Sequence, residues 1–104
     1  MRVLWVSDPP EVASAYAGQT ALFLPRLRAA GHEVALLAAG CPYVRSLADG
    51  TPVFPAPFDK YGSSVVEEHA RRFGADVVLT LLDPHVLVPE VYARLPWVAW
   101  APLD

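Results

Sequence analysis

Asp76-Val77-Val78-Leu79-Thr80-Leu81-Leu82 is the stretch on which the fold turns. It is a short, nearly continuous apolar run, rich in branched side chains and stopped by Asp83-Pro84. Such a run reads as a strand buried on both faces, and strands of that kind belong to parallel sheets covered by helices. Immediately upstream, Val65, Val66, His69, Ala70 and Phe73 mark the apolar side of a helix. Ser63-Ser64 stand where its N-cap belongs, Glu67-Glu68 lie in its first turn, and Gly74 ends it.

The same alternation extends to both ends of the chain. Val3-Leu4-Trp5-Val6 is a first buried strand, closed by Ser7-Asp8-Pro9-Pro10, after which a loop is expected to about Ala17. Helical spacing of Ala21, Leu22, Leu24, Leu27 and Ala30 begins near Gly18-Gln19-Thr20, and Pro25 predicts a kink or a late start. Gly31 stops that helix, and Glu33 to Ala38 form the second strand. Cys41 to Leu47 has room for one helical turn. Thr51 to Phe54 reads as a short, peripheral third strand, because Pro52 lacks a ladder donor. After the opening strand, Pro84 and Pro89 leave only short helical pieces, the best at Val91 to Leu95. Trp97 to Ala101 is the fifth strand.

Five strands joined by crossovers predict an α/β fold: a parallel sheet with helices on both faces, order 3-2-1-4-5. Ligands of such sheets sit beyond the carboxyl ends of the strands where the order reverses, which places the site between strands one and four.

Composition narrows the function. A chain of 104 residues is one domain, and 54% apolar with 18% charged residues excludes a disordered tail. The net charge is -3, and the arginines at 2, 26, 28, 45, 71, 72 and 94 are scattered, with Lys60 the single lysine. No basic stripe supports nucleic-acid binding or recruitment to anionic membranes. Cys41 stands alone, which excludes an internal disulfide and agrees with a reducing cytoplasm. The opening run is too short for a signal peptide, and no apolar run approaches a bilayer span of about 20 residues. The expectation is a soluble, cytoplasmic protein without membrane insertion.

At the expected site, the loop after strand one supplies Ser7, Asp8, Tyr16 and Gly18 and leads to a helix start at Gln19-Thr20, a generic anion site. The GxGxxG and P-loop patterns are absent. Strand four ends at Asp83 and His85, a carboxylate and an imidazole suited to general acid–base work, although Asp83 also suits a cap and His85 the surface. Asp104 follows strand five. Asp59 reads as a turn residue, and His32 and His69 as structural. No residue spacing fits zinc, Cys41 has no histidine partner, and no cofactor is called for.

Several stretches together resemble the start of retaining GT-B glycosyltransferases of the glycosyltransferase-4 type. They are Met1 to Asp8 (MRVLWVSD), Leu24 to Val34 (LPRLRAAGHEV), Pro55 to Gly62 (PAPFDKYG), Phe73 to Thr80 (FGADVVLT) and Trp97 to Asp104 (WVAWAPLD). The resemblance implies a three-layer Rossmann-like domain that holds the acceptor in a hexosyltransferase whose second domain holds the nucleotide sugar. It also implies that Ser7, Asp8, Tyr16, Gly18, Gln19 and Thr20 lie toward the donor diphosphate, and that Asp83, His85 and Asp104 line the acceptor side. The first loop departs from the family in carrying Pro9, Pro10 and a single glycine. The donor domain and its paired glutamates are missing, so the chain is expected to be an incomplete enzyme, inactive alone. Its fifth strand, 97–101, would then meet a partner or a second copy. A non-catalytic binding or interaction module is the alternative. A receiver-like signalling domain fits poorly, because Phe54-Pro55 occupies the strand end that would need an aspartate and Lys60 is misplaced.

Overall fold

The computed structural model describes residues 1–56 and 61–100. Its strands are β1 (Arg2–Ser7), β2 (Glu33–Ala38), β3 (Arg45–Ser46), β4 (Pro52–Phe54), β5 (Val77–Thr80) and β6 (Trp97–Ala99). Its helices are α1 (Ala15–Ala29), α2 (Val66–Phe73) and α3 (Pro89–Tyr92), with a 3-10 turn at Pro84–Val86. The strands form one sheet in the order β3-β4-β2-β1-β5-β6, and every pairing is parallel except β3 with β4.

The alternation of side chains along β1 builds both cores. Leu4 and Val6 point to one face, where Ala35, Leu37 and Val78 meet Val66 and Ala70 of α2 and Tyr92 of α3. Val3 and Trp5 point to the other, where Val34 and Leu36 meet Leu24 of α1. Val3 to Val6 of this central strand are therefore all apolar, because neither face meets water there.

The sheet has six strands where five were expected. The additional one arises in the Cys41–Leu47 segment, which is extended at Arg45-Ser46 and not a helical turn. Its cause is local. The Asp49 carboxylate accepts from the Thr51 amide at 3.0 Å, and Gly50 takes φ 90°, so the chain reverses and lays β3 antiparallel on β4. Thus β4 is not peripheral: it lies between β2 and β3, with Pro52 at its first position, where a missing donor is tolerated.

Helix α1 also begins earlier than its apolar spacing indicates. Ser14 is the N-cap, its Oγ accepting from the Ala17 amide at 3.0 Å. Pro25 lies inside the helix on its exposed side, where the likewise exposed Ala21 forgoes the amide donor that position 25 would supply to its carbonyl. At α2, Val65 occupies the cap position without a side-chain bond, so Ser63 and Ser64 precede the cap. They belong to a turn in which the Val65 and Val66 amides both reach the Gly62 carbonyl. Gly74 ends α2 in the left-handed conformation, φ 72°. The helical piece expected at Val91–Leu95 runs instead over Pro89–Tyr92, because Pro89 supplies a first-turn φ without needing a donor. Among the described residues no helix is long and apolar enough to cross a membrane.

Candidate functional site

The carboxyl ends of β1 and β5 are adjacent, and the chain leaves them in different directions. Beyond β1 it forms the loop that leads to Ser14. Beyond β5 it passes Leu81 and Leu82 into the 3-10 turn. A cleft of about 160 Å³ opens between these exits, lined by Asp8, Tyr16, Tyr61, Leu82, Asp83 and Val86. It occupies the edge expected from topology for a ligand.

Its polar walls are held by the backbone elements around them. Asp8 accepts from the Ser14 hydroxyl at 2.6 Å, and the same hydroxyl caps α1, so the loop after β1 is tied to the helix it precedes. The Tyr16 hydroxyl donates to the Asp83 carboxylate, joining the first turn of α1 to the exit of β5 across the cleft. Asp83 stands at the start of the 3-10 turn without capping it by its side chain. Its carboxylate belongs to the cleft. Neither Asp8 nor Asp83 forms an ion pair among the described residues, and the described lining carries no cationic side chain. Leu82 and Val86 give the cleft an apolar floor, and the tyrosine rings flank it.

The expected site residues divide into those the fold brings together and those it sends elsewhere. Asp8, Tyr16 and Asp83 meet. Ser7 is fully buried, with its hydroxyl donating to the Leu81 carbonyl at 2.7 Å, which staples β1 to the end of β5. Thr20 is also fully buried, and its hydroxyl accepts from the Trp5 indole at 3.0 Å, inside the α1 core. Gly18 and Gln19 are exposed residues within α1, beyond its first turn. The Gly18 amide donates to the Ser14 carbonyl, so it is not an open anion donor. His85 sits exposed on the 3-10 turn and outside the cleft lining. Asp59 and Asp104 lie outside the described residues. His32 approaches the amino terminus, and His69 stacks on Phe54 and bonds the Pro55 carbonyl, both away from the cleft. Tyr61 and Ser14 are the residues that sequence reasoning passed over. Ser14 carried a usable signal, a serine just before a helix-forming stretch.

Wider depressions of about 380 and 410 Å³ lie at the opposite edge of the sheet, around Arg28, His32, Glu33 and Asp76. Arg2 pairs there with Glu33 and Arg28 with Asp49, and Asp76 accepts from the Arg2 amide. Among the described residues no cluster of three His, Cys, Asp or Glu side chains could hold a metal ion.

No protein-family model, curated protein or solved structure matches the chain.

Proposed function

We propose that this chain is the acceptor-side, Rossmann-like domain of a GT-B glycosyltransferase, working with a second domain that holds the nucleotide sugar. The observation that carries the reading is the chemistry of the β1–β5 cleft. Two carboxylates without ion pairs among the described residues, and two tyrosines, are suited to accept from, and pack against, a polyhydroxylated ligand. The same lining is a poor seat for a diphosphate, whose charge the described cleft residues would repel. Asp83, oriented by Tyr16, is then the group that receives an acceptor hydroxyl and points its oxygen toward a sugar donor. In transfer, that oxygen bonds to the anomeric carbon as the bond from that carbon to the nucleoside diphosphate breaks, and the hydroxyl proton passes to the departing diphosphate. Holding the nucleophile in line is where positioning contributes most.

The second reading, a non-catalytic binding module, is favoured by one feature. The Asp8, Tyr16 and Asp83 contacts all form within a single domain. Calorimetry of the chain with neutral saccharides and with nucleotide sugars tests the acceptor assignment. Weak, saturable binding of saccharides without binding of nucleotide sugars supports it. Nucleotide-sugar binding by the chain alone would overturn it. Sedimentation separates the two readings, since association through the β6 region supports an incomplete half and a persistent monomer supports a module.

A further inference from the structure

The two faces of the sheet are covered unequally. The face carrying Leu4, Val6 and Val78 is roofed by α2 and α3, out to Trp97, which packs on Tyr92 with ring centroids 5.1 Å apart. Among the described residues the opposite face has only α1, which packs on β1 and β2. Over β5 and β6 no described helix covers that face. Leu79 is half-buried there, and its register partner Val98 is 52% exposed. Trp100 closes the inner side of this trough, meeting Trp5 and Phe23 edge-on at 6.2 and 5.3 Å while remaining 38% exposed. The wall is the flank of α1, where Phe23 stands beside Arg26 and Leu22 lies one turn before it.

Three observations identify what fits. Parallel strands bury both faces, so an apolar trough over β5 and β6 calls for a cover. Two strands spaced by about 4.8 Å make a floor about 10 Å wide, the diameter of one α-helix. The crossover from β5 to β6 places α3 on the other face, so no described helix reaches over β5 and β6 on this one. The rim adds a sign. Among the described residues Arg26 is the arginine without a carboxylate partner; Arg2, Arg28, Arg45, Arg71, Arg72 and Arg94 all have one.

We propose that this trough docks one amphipathic α-helix of a partner polypeptide, with its apolar face on Leu79, Val98 and Trp100 and a carboxylate against Arg26. The proposal goes beyond the transferase reading and does not depend on it, since among the described residues the face lacks cover whatever the cleft binds.

The probe is a synthetic helical peptide of about 16 residues, some 24 Å long, with leucines at i, i+3, i+4 and i+7 and glutamates flanking them. Added to the full chain and followed by heteronuclear NMR, it is expected to give saturable shifts at Leu79, Val98, Trp100 and the Trp100 indole. Val98→Glu, at an exposed position that leaves the fold intact, should abolish those shifts. Arg26→Glu should weaken the glutamate-flanked peptide about threefold and improve a lysine-flanked one by a similar factor. Absence of saturable shifts in the trough, shifts confined to the outer edge of β6, or a peptide-free dimer that buries Val98 would overturn the proposal. Insensitivity of both peptides to Arg26→Glu would overturn its acidic flank.

Discussion

Strands β1 and β6 share a Trp-Val pair and live in different surroundings. Val3-Leu4-Trp5-Val6 lies between two neighbours and under helices on both faces, and its Trp5 is 2% exposed. Trp97-Val98-Ala99 is paired on one side, roofed on one face, and its Trp97 is 36% exposed. Each tryptophan sends its indole N–H to a threonine hydroxyl, Trp5 to Thr20 at 3.0 Å and Trp97 to Thr80 at 2.9 Å. The side-chain chemistry is matched, so the difference between the strands lies in cover. An apolar strand makes a core where helices reach it and a surface for a partner where they do not.

The largest break in this comparison comes from truncating the centre of each strand. Leu4→Ala removes a fully buried side chain and should cost about 2–5 kcal/mol, read from urea denaturation. Val98→Ala at its half-exposed position should cost no more than about 0.5 kcal/mol in the chain alone. Equal losses would mean that β6 is covered after all. The indole anchors come next. Thr20→Val leaves the Trp5 N–H buried without an acceptor and should cost about 1–3 kcal/mol. Thr80→Val should cost less, because the partly exposed Trp97 can turn its N–H toward water.

A smaller effect, of the opposite sign, comes from the helix that covers β1 and not β6. Gly18 lies inside α1 without positive φ, and a Cβ there would meet nothing within 4 Å. Gly18→Ala should therefore raise stability by about 0.5–1 kcal/mol. Hydrogen exchange should slow in β1 and stay unchanged in β6, and saccharide binding should be unaffected because the Gly18 amide is already spent within the helix.

The smallest effect lies outside both strands. The Thr51 amide, with Arg28 nearby, holds the Asp49 carboxyl below its ordinary range. A carboxyl lowered in the folded state adds stability above its unfolded value of about 3.9 and loses it as pH falls through the folded value. Because the pair is exposed, that contribution is below about 1 kcal/mol. Urea midpoints taken between about pH 6 and pH 3 should fall less steeply in Asp49→Asn than in the parent chain, with the β1–β6 contrast unchanged.

Much of this architecture was legible from apolar runs and their stops. Glu33–Ala38 was read with its observed bounds, and Gly74 was read as the end of α2. The elements that escaped are those made by a few local hydrogen bonds. Strand β3 has no β-branched pattern of its own and exists because Asp49 and Gly50 turn the chain. The early start of α1 depends on one serine hydroxyl between Asp8 and the Ala17 amide. The site was half legible for the same reason. Asp8 and Asp83 follow from strand exits, whereas Tyr61 reaches the cleft from a distant loop, a placement no local spacing encodes. Burial of Ser7 and Thr20 was equally hidden, since both hydroxyls sit beside the expected site in sequence and turn into the core in space.

The most direct test of the functional account is residue-level mapping of a neutral saccharide titrated into the full chain by heteronuclear NMR. Saturable shifts should cluster at Asp8, Tyr16, Tyr61 and Asp83 and should weaken in Asp83→Asn, which keeps the shape of the cleft and removes one of its two carboxylate charges. Shifts gathered instead around Arg28, His32 and Glu33, or a cleft response unchanged in Asp83→Asn, would contradict the assignment of this edge as the acceptor site.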